Sequence, residues 1–563
     1  METLRWEPPG PGVWEAEAAH FARPVPRFGR SQLIDGFAQG FKESTERYGL
    51  LLSHFQPAVV NDFMYMRPVP YGAPPDAAGP PPKAVLWMLT RLHPKLRARI
   101  AQTRRAFEEK RWRADLHHWD TVDKPAAMKR HKELLAVDPA TLDDEALAAH
   151  ARACCDHVGA MVVFHHRYTI PCMLPVGDLL AHASEWTGEP PGVLLQALRG
   201  TTPVSRGILA IELEGLASAV RSSPEAQAIL GGRDPAAVIE ALCSEPGAVG
   251  DAARAFFEGV RYRALTYEVA GKLAGEMPDM LVSALRAAVD GDAALQKDDT
   301  AERIASLRAK VPEAHRAAFD ELVVEARAVN RLRDERGVYC DGFALGIARR
   351  VALEIGRRLA ARGVLRDPEH ATDLDLEEAI ALLSGKPGPS GDEVERRTVW
   401  RATKTVADIP PFLGGQPSSP PDPAVLPAPA RRAARAIDIA VSNLFLESTA
   451  AHTATVVRGL SVNEGVYEGT ARLICDVSEF GRLQKGDVLI TRATAPYFNV
   501  VLPLLGALVT DRGGQLCHAA IVAREYGIPG VVGTREATTR IPDGARVRVD
   551  GTRGEVTILD PGR

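Results

Sequence analysis

His518 is the residue whose type and setting point most directly to chemistry. It follows Gly513-Gly514-Gln515-Leu516-Cys517 and opens a run that closes with Gly527-Ile528-Pro529-Gly530. The two glycines permit positive φ and let an anion approach the backbone closely. From His518 to Tyr526 the pattern reads as a helix, with Ile521 and Val522 apolar and a Gly-x-Pro stop. A phosphoryl group on His518 would therefore sit at a helix N-terminus, among unpaired N–H groups and the positive end of the dipole. Arg524 adds a positive charge less than two turns on, although helical spacing alone does not aim it at that group. The bland alternative is an ordinary glycine turn with a surface or core histidine. Against it stand Gly506 to Asp511, which reads as a strand entering the turn, and Gly530 to Thr534, which reads as a strand leaving the helix. That order puts the loop at the carboxyl end of a strand, where α/β layers bind ligands.

Further motifs surround this one in a long ordered set: Gly465-Val466-Tyr467-Glu468-Gly469, Gly486-Asp487-Val488-Leu489-Ile490-Thr491, Thr494-Ala495-Pro496, and Ile541-Pro542-Asp543-Gly544 running to Val549-Asp550-Gly551. With them, the stretch from about Arg458 to Leu559 resembles the swivelling phosphohistidine domain of the phosphoenolpyruvate-utilising enzymes. The resemblance implies that His518 is phosphorylated, that a threonine of the 491–494 turn, Thr494 among them, contacts the phosphoryl group, that Gly513 and Gly514 shape its cradle, and that the domain swings between two distant sites. Leu516 stands where many members have threonine.

At 563 residues, 45% hydrophobic and 25% charged, the chain has the size of roughly three to four soluble domains. A net charge of −4 leaves no electrostatic footprint for nucleic acid. Without a basic, apolar leader or an uncharged apolar run of about 18 residues, no membrane partner is expected and the cytoplasm is the default. The seven cysteines include no CxxC pair, which favours reduced thiols over disulfides or a zinc site. Cys517 is the one to weigh as a nucleophile, because a helix N-terminus lowers a thiol pKa.

The expected fold is multidomain, a large mainly α-helical substrate-binding region followed by a small α/β swivelling domain. Its parts are residues 1–407, helical with an aromatic and proline-rich start; 408–457, a connector; and 458–563, the phosphohistidine domain. Asp408 to Ala430 carries eight prolines and predicts an extended, semi-stiff connector over a surface. A short helix from Arg431 to about Leu446 follows, then a polar tether from Glu447 to Thr455 that is the expected hinge. The small domain draws its expected core from its own Val466, Leu473, Val488, Leu489, Ile490, Leu508, Val509, Ile521, Val522, Val531, Val532, Val547 and Val549.

No glycine-rich nucleotide segment is found before residue 400, nor a TIM-barrel-like series of βα units. A second, looser resemblance covers most of residues 10 to 415. His165-His166-Arg167 through Asp178, Trp186-Thr187-Gly188, Leu198 to Ser205, and Arg349 to Arg362 are similar to the helical substrate-binding domain of rifampicin phosphotransferase-like proteins. Phenylphosphate synthase resembles the same arrangement with ATP and histidine functions on separate subunits. Together these imply a dikinase-type phosphotransferase component. ATP and Mg2+ are expected on a partner ATP-binding, ATP-grasp-like subunit and not on this chain alone.

For the acceptor site, His165 and His166 adjoin the apolar Met161 to Phe164; each reads as a core histidine or as a base titrating near neutrality. Arg331, Arg333, Arg336 and Arg349 are cations for phosphoryl oxygens or solvated helix faces. Asp341 orients or deprotonates the acceptor, or caps a helix. Arg23 and Arg27 read as packing against rings. The reading that results is a carrier of phosphoryl groups to a small hydroxyl-type acceptor. Its alternatives are a non-catalytic phosphocarrier or regulatory docking protein, and an antibiotic-inactivating kinase component.

Overall fold

The computed structural model describes the chain except residues 1–3, 19, 75–76, 78, 203–208, 291–298, 446, 476, 495–497, 500 and 563. Ala495 and Pro496 of the threonine turn, Pro203 to Ser205, and Leu446 therefore lie outside the described residues. The described chain falls into two compact units. One comprises residues 1–172, 266–271 and 339–435; the other comprises 173–265, 272–338 and 436–563.

The first unit is mainly helical around a small antiparallel sheet. Its strands are β1 (Trp14–Ala16), β2 (Leu52–Val60), β3 (Phe63–Pro70) and β4 (Phe412–Leu413), in the order β2-β3-β1-β4. Asn61 and Asp62, both at positive φ, turn β2 into β3. This sheet was not foreseen in the aromatic, proline-rich start of the chain. Alternation at Trp14, Phe63 and Tyr65 buries one face, and Leu413 completes that cluster. The proline-rich stretch is thus anchored through β4, and the helix that follows it, Ala428–Phe445, begins inside the stretch expected to be extended.

Helix Arg30–Arg47 packs on helix Asp144–Arg167 at unusually close range because Gly36 and Gly40 face it. A Cβ on Gly36 would lie 2.5 Å from the Gly159 carbonyl oxygen, and one on Gly40 would lie 2.6 Å from that of Val163. Backbone cannot yield as a side-chain tip can, and that contact sets the position of the histidines at the C-terminal end of the longer helix.

The second unit carries the eight-stranded sheet β5 (Val456–Arg458), β6 (Leu460–Asn463), β7 (Val466–Leu473), β8 (Asp487–Thr491), β9 (Leu505–Thr510), β10 (Gly530–Val532), β11 (Arg546–Asp550) and β12 (Glu555–Asp560). Their order is β5-β12-β11-β7-β8-β9-β10-β6, with β7-β8-β9-β10 parallel and antiparallel pairs on either side. Side chains alternate along each strand, so two cores form. Val488, Ile490, Val509, Val531, Val547 and Val549 close one face. Leu489, Leu508, Val522 and Val532 join the other, together with Leu216, Phe256, Leu281 and Leu285 from helices Ala210–Arg221, Ala248–Val260 and Pro278–Val289. Strands begin where the small domain was expected, but Leu489, Leu508, Val522 and Val532 of the apolar set assigned to its own core are shared with those helices, and Val466 is exposed.

The expected tether is also bound. Ser448 N–H donates to the Gly533 carbonyl at 2.9 Å, and Arg458 Nη1 donates to that of Ala451 at 3.0 Å. Gly40→Val should destabilise the protein by about 2 kcal/mol or more, read as a lowered urea midpoint, as overpacking against fixed backbone does. An unchanged midpoint would mean that the two helices do not meet through this glycine.

Candidate functional site

The glycine turn after β9 delivers His518 as the first residue of helix His518–Tyr526, with Gly513 at φ 100°. Cys517 precedes it in extended conformation, and Gly527, at φ 67°, ends the helix. His518 is 9% exposed. Thr494 Oγ1 lies 2.9 Å from its Nδ1, and Asn499 Oδ1 lies 2.8 Å from its Nε2. An amide oxygen only accepts. With that oxygen facing the ring, Nε2 carries the proton and donates to Asn499, and the Thr494 hydroxyl donates to Nδ1. Burial holds the imidazole pKa down to about 4, against a rise from Asp334 and helped by Arg333. The ring is therefore a neutral, weakly basic nucleophile at pH 7, with its proton assigned by two neighbours.

Asn499 and Asp334 were missed in the sequence. Asn499 lies five residues beyond Thr494, outside the glycine loop, and carries no local signature. Asp334 sits inside the arginine-rich run 331–336, where Arg333 drew the attention; it is buried, and its charge acts on His518.

Other expectations need correction. Arg524 does not serve the imidazole: its Nη2 donates to the Gln515 carbonyl at 2.8 Å, bracing the turn from behind. Six residues along a helix is most of a half-turn away from His518, so the two side chains leave on different faces. The Gly513-Gly514 turn is not an open cradle in this conformation. Gly514 N–H donates to the Leu444 carbonyl at 2.8 Å and Leu516 N–H to that of Asn443 at 2.7 Å, so carbonyls at the end of helix Ala428–Phe445 occupy these donors. Burial pushes the Cys517 thiol up, outweighing the helix terminus that was expected to lower it.

In the first unit, His165 and Asp341 are brought together: Nδ1 of the histidine is ion-paired with Oδ2 of the aspartate. Asp341 closes a π-helical turn, Gly337–Asp341, a feature frequent at functional sites. His166 is a packing residue, stacked on Phe41 with ring centroids 4.6 Å apart and edge-on to Phe37 at 4.3 Å. Arg349 is fully buried and held by both oxygens of Glu369 at 2.7 and 2.9 Å, and so is committed to structure. Arg331 pairs with Glu335 at 2.8 Å. Arg27 pairs with Asp62 at 3.0 Å, and Arg23 donates to the Ala402 carbonyl, polar contacts where packing against rings was expected. Among the described residues no cluster of His, Cys, Asp and Glu fits a metal ion.

Residues 483–554 match the family model described as PEP-utilising enzyme, mobile domain. A rifampicin phosphotransferase of Streptomyces sp is 28% identical over 394 residues, 67% of this chain and 42% of that protein. An uncharacterized phosphotransferase, YvkC, of Bacillus subtilis is 32% identical over 245 residues, 43% of this chain and 27% of its own length. Phosphoenolpyruvate synthase of Pyrococcus furiosus is 46% identical over 101 residues, 18% of this chain and 12% of that protein. The chain thus spans less than half the length of these relatives. Residues 483–554 thus resemble the mobile domain of PEP-utilising enzymes, and over 394 residues the chain is similar to a rifampicin phosphotransferase. No helix among the described residues is long and apolar enough to cross a membrane.

Because the folded-state pKa of His518 lies below the ordinary 6.5, the unfolded chain binds more protons between pH 6.5 and about 4. Stability from this residue is complete above that window and falls as pH falls through it, by up to about 1.4 kcal/mol per pH unit. Melting temperatures over pH 4 to 7 should therefore decline less steeply in His518→Asn than in wild type; identical slopes would contradict the neutral, buried ring. Arg349→Met should cost about 2 kcal/mol in urea by leaving the half-buried Glu369 and the carbonyls of Val269 and Ala270 without their donor, without changing any phosphorylation of His518. Selective loss of phosphorylation in a stable protein would reassign Arg349 to the chemistry.

Proposed function

We propose that this chain is the phosphoryl-carrying and acceptor-binding component of a dikinase-type phosphotransferase. The observation that carries the reading is His518 itself: a buried neutral imidazole at a helix N-terminus, its proton placed by Asn499 and Thr494, beside the charges of Asp334 and Arg333. In the first half-reaction, the ring nitrogen bearing the lone pair attacks a phosphoryl phosphorus of ATP in line, the P–O bond to the nucleotide breaks, and the nucleotide leaves with its electron pair. In the second, the acceptor hydroxyl attacks that phosphorus, the N–P bond breaks, and its electron pair returns to the imidazole. The hydroxyl proton passes to a carboxylate or imidazole base. Asp334 is buried beside His518, and the His165–Asp341 pair is a second base of suitable chemistry. Imidazole is a good leaving group, and the remaining task is charge stabilisation and alignment.

In the conformation described, both ring nitrogens are engaged and the amides of Gly514 and Leu516 are taken by helix carbonyls. Receiving a phosphoryl group therefore requires the domain to leave this position. The nucleotide and Mg2+ are assigned to an ATP-binding, ATP-grasp-like partner, since the only phosphate-cradling turn legible in the sequence is that of His518. The acceptor is a small organic hydroxyl compound.

Incubation with that partner and radiolabelled ATP should label wild-type chain through an acid-labile, base-stable bond and leave His518→Ala unlabelled. Labelling that persists in the variant would overturn the assignment. With a panel of hydroxyl compounds, label should move on to a small product; label that stops on protein would identify a carrier without acceptor chemistry.

A further inference from the structure

We propose that Glu525 is a positioning residue that latches the His518 helix to the segment Leu195–Thr202; its purpose rests on the phosphotransferase reading above, its geometry does not. Glu525 lies two turns beyond His518 on the same helix and is 5% exposed. An acidic side chain in the last turn faces the negative end of the dipole, and a buried carboxylate is costly unless hydrogen-bonded. Two of its donors come from one short segment. Gly200 N–H donates to Oε1 at 3.0 Å, and the Thr202 hydroxyl donates to the same oxygen at 2.9 Å.

That segment is tied in turn to helix Arg316–Asn330. Asn330 Nδ2 donates to Thr201 Oγ1 at 2.8 Å, and Arg327 Nη1 donates to the carbonyls of Ala197 at 2.5 Å and Arg199 at 3.1 Å. The next helix, Leu332–Arg336, holds Arg333 and Asp334, whose charges act on His518. Glu525, the 200–202 turn and Asn330 thus tie the His518 helix to helix Arg316–Asn330, which leads directly into the helix that carries Arg333 and Asp334. Gln196 Nε2, donating to the Val462 carbonyl at 3.3 Å, adds a second tie from the same segment to the sheet. Directional hydrogen bonds of this kind fix the register of the His518 helix against the segment, which an apolar interface alone does not do.

The latch can be read without any phosphoryl donor. Diethylpyrocarbonate acylates accessible neutral imidazoles, and peptide mass spectrometry resolves His518 from the buried His157. Glu525→Ala and Thr202→Val should each speed modification of His518 by about tenfold, the expected effect of losing hydrogen bonds to a buried charge, with His157 unchanged. The double variant should match Glu525→Ala, because loss of the carboxylate already removes the Thr202 contact. Glu525→Gln, which keeps an accepting oxygen, should recover most of the protection. A His518 rate that stays at the wild-type value, or effects that simply add, would overturn the latch. If Glu525→Ala also exposes His157 through general unfolding, the milder Thr202→Val decides alone. Failure of the latch leaves the phosphoryl-transfer reading standing, because no step of this test depends on phosphorylation.

Discussion

Everything in the second unit is arranged around one imidazole that burial keeps unprotonated. His518 can act as a nucleophile only while it lacks the second proton, and in the conformation described its pKa of about 4 keeps that proton off. The same burial would leave both ring nitrogens without partners, so Thr494 and Asn499 supply them and thereby decide which nitrogen holds the proton. The β9 strand, the glycine turn and the helix are the local means of placing the ring. The surrounding helices are the means of drying it.

That drying explains the division of the sheet. Period-two alternation in β8 and β9 sends Val488, Ile490 and Val509 to a core made by the strands themselves, and Leu489 and Leu508 to a core made with helices of residues 210–289. The second face is the one the His518 helix covers. A domain that carries a reactive group between sites needs a self-contained core to stay folded and a second apolar face to dock with. The two clusters have those compositions.

The strand–turn–helix around His518 was legible because it is local: glycines for positive φ, an apolar face, and a Gly-x-Pro stop each act within a few residues. The mainly helical region followed by a small α/β domain was legible for the same reason. What could not be read is what depends on distant partners. Arg349 has the sequence setting of a cation on a helix face, and only the fold brings Glu369 to it. His166 beside His165 offers the same ring, yet one meets Asp341 and the other Phe41, because Gly40 brings the aromatic helix against one side of it. Arg524 was expected near a phosphoryl group and instead braces the turn, a matter of helical phase. Asp334, Asn499 and Glu525 have no motif of their own and acquire meaning only when their elements converge.

The central claim is that a phosphoryl group pauses on His518 between donor and acceptor. Its most direct test is the stereochemical course at phosphorus. This chain and the nucleotide-binding partner proposed for it would be given a nucleotide made chiral by oxygen isotopes at the transferred phosphorus, and the configuration of the phosphorylated product would be determined. Two in-line displacements, one onto the imidazole and one off it, predict overall retention. Inversion would signify a single direct transfer and would contradict the account.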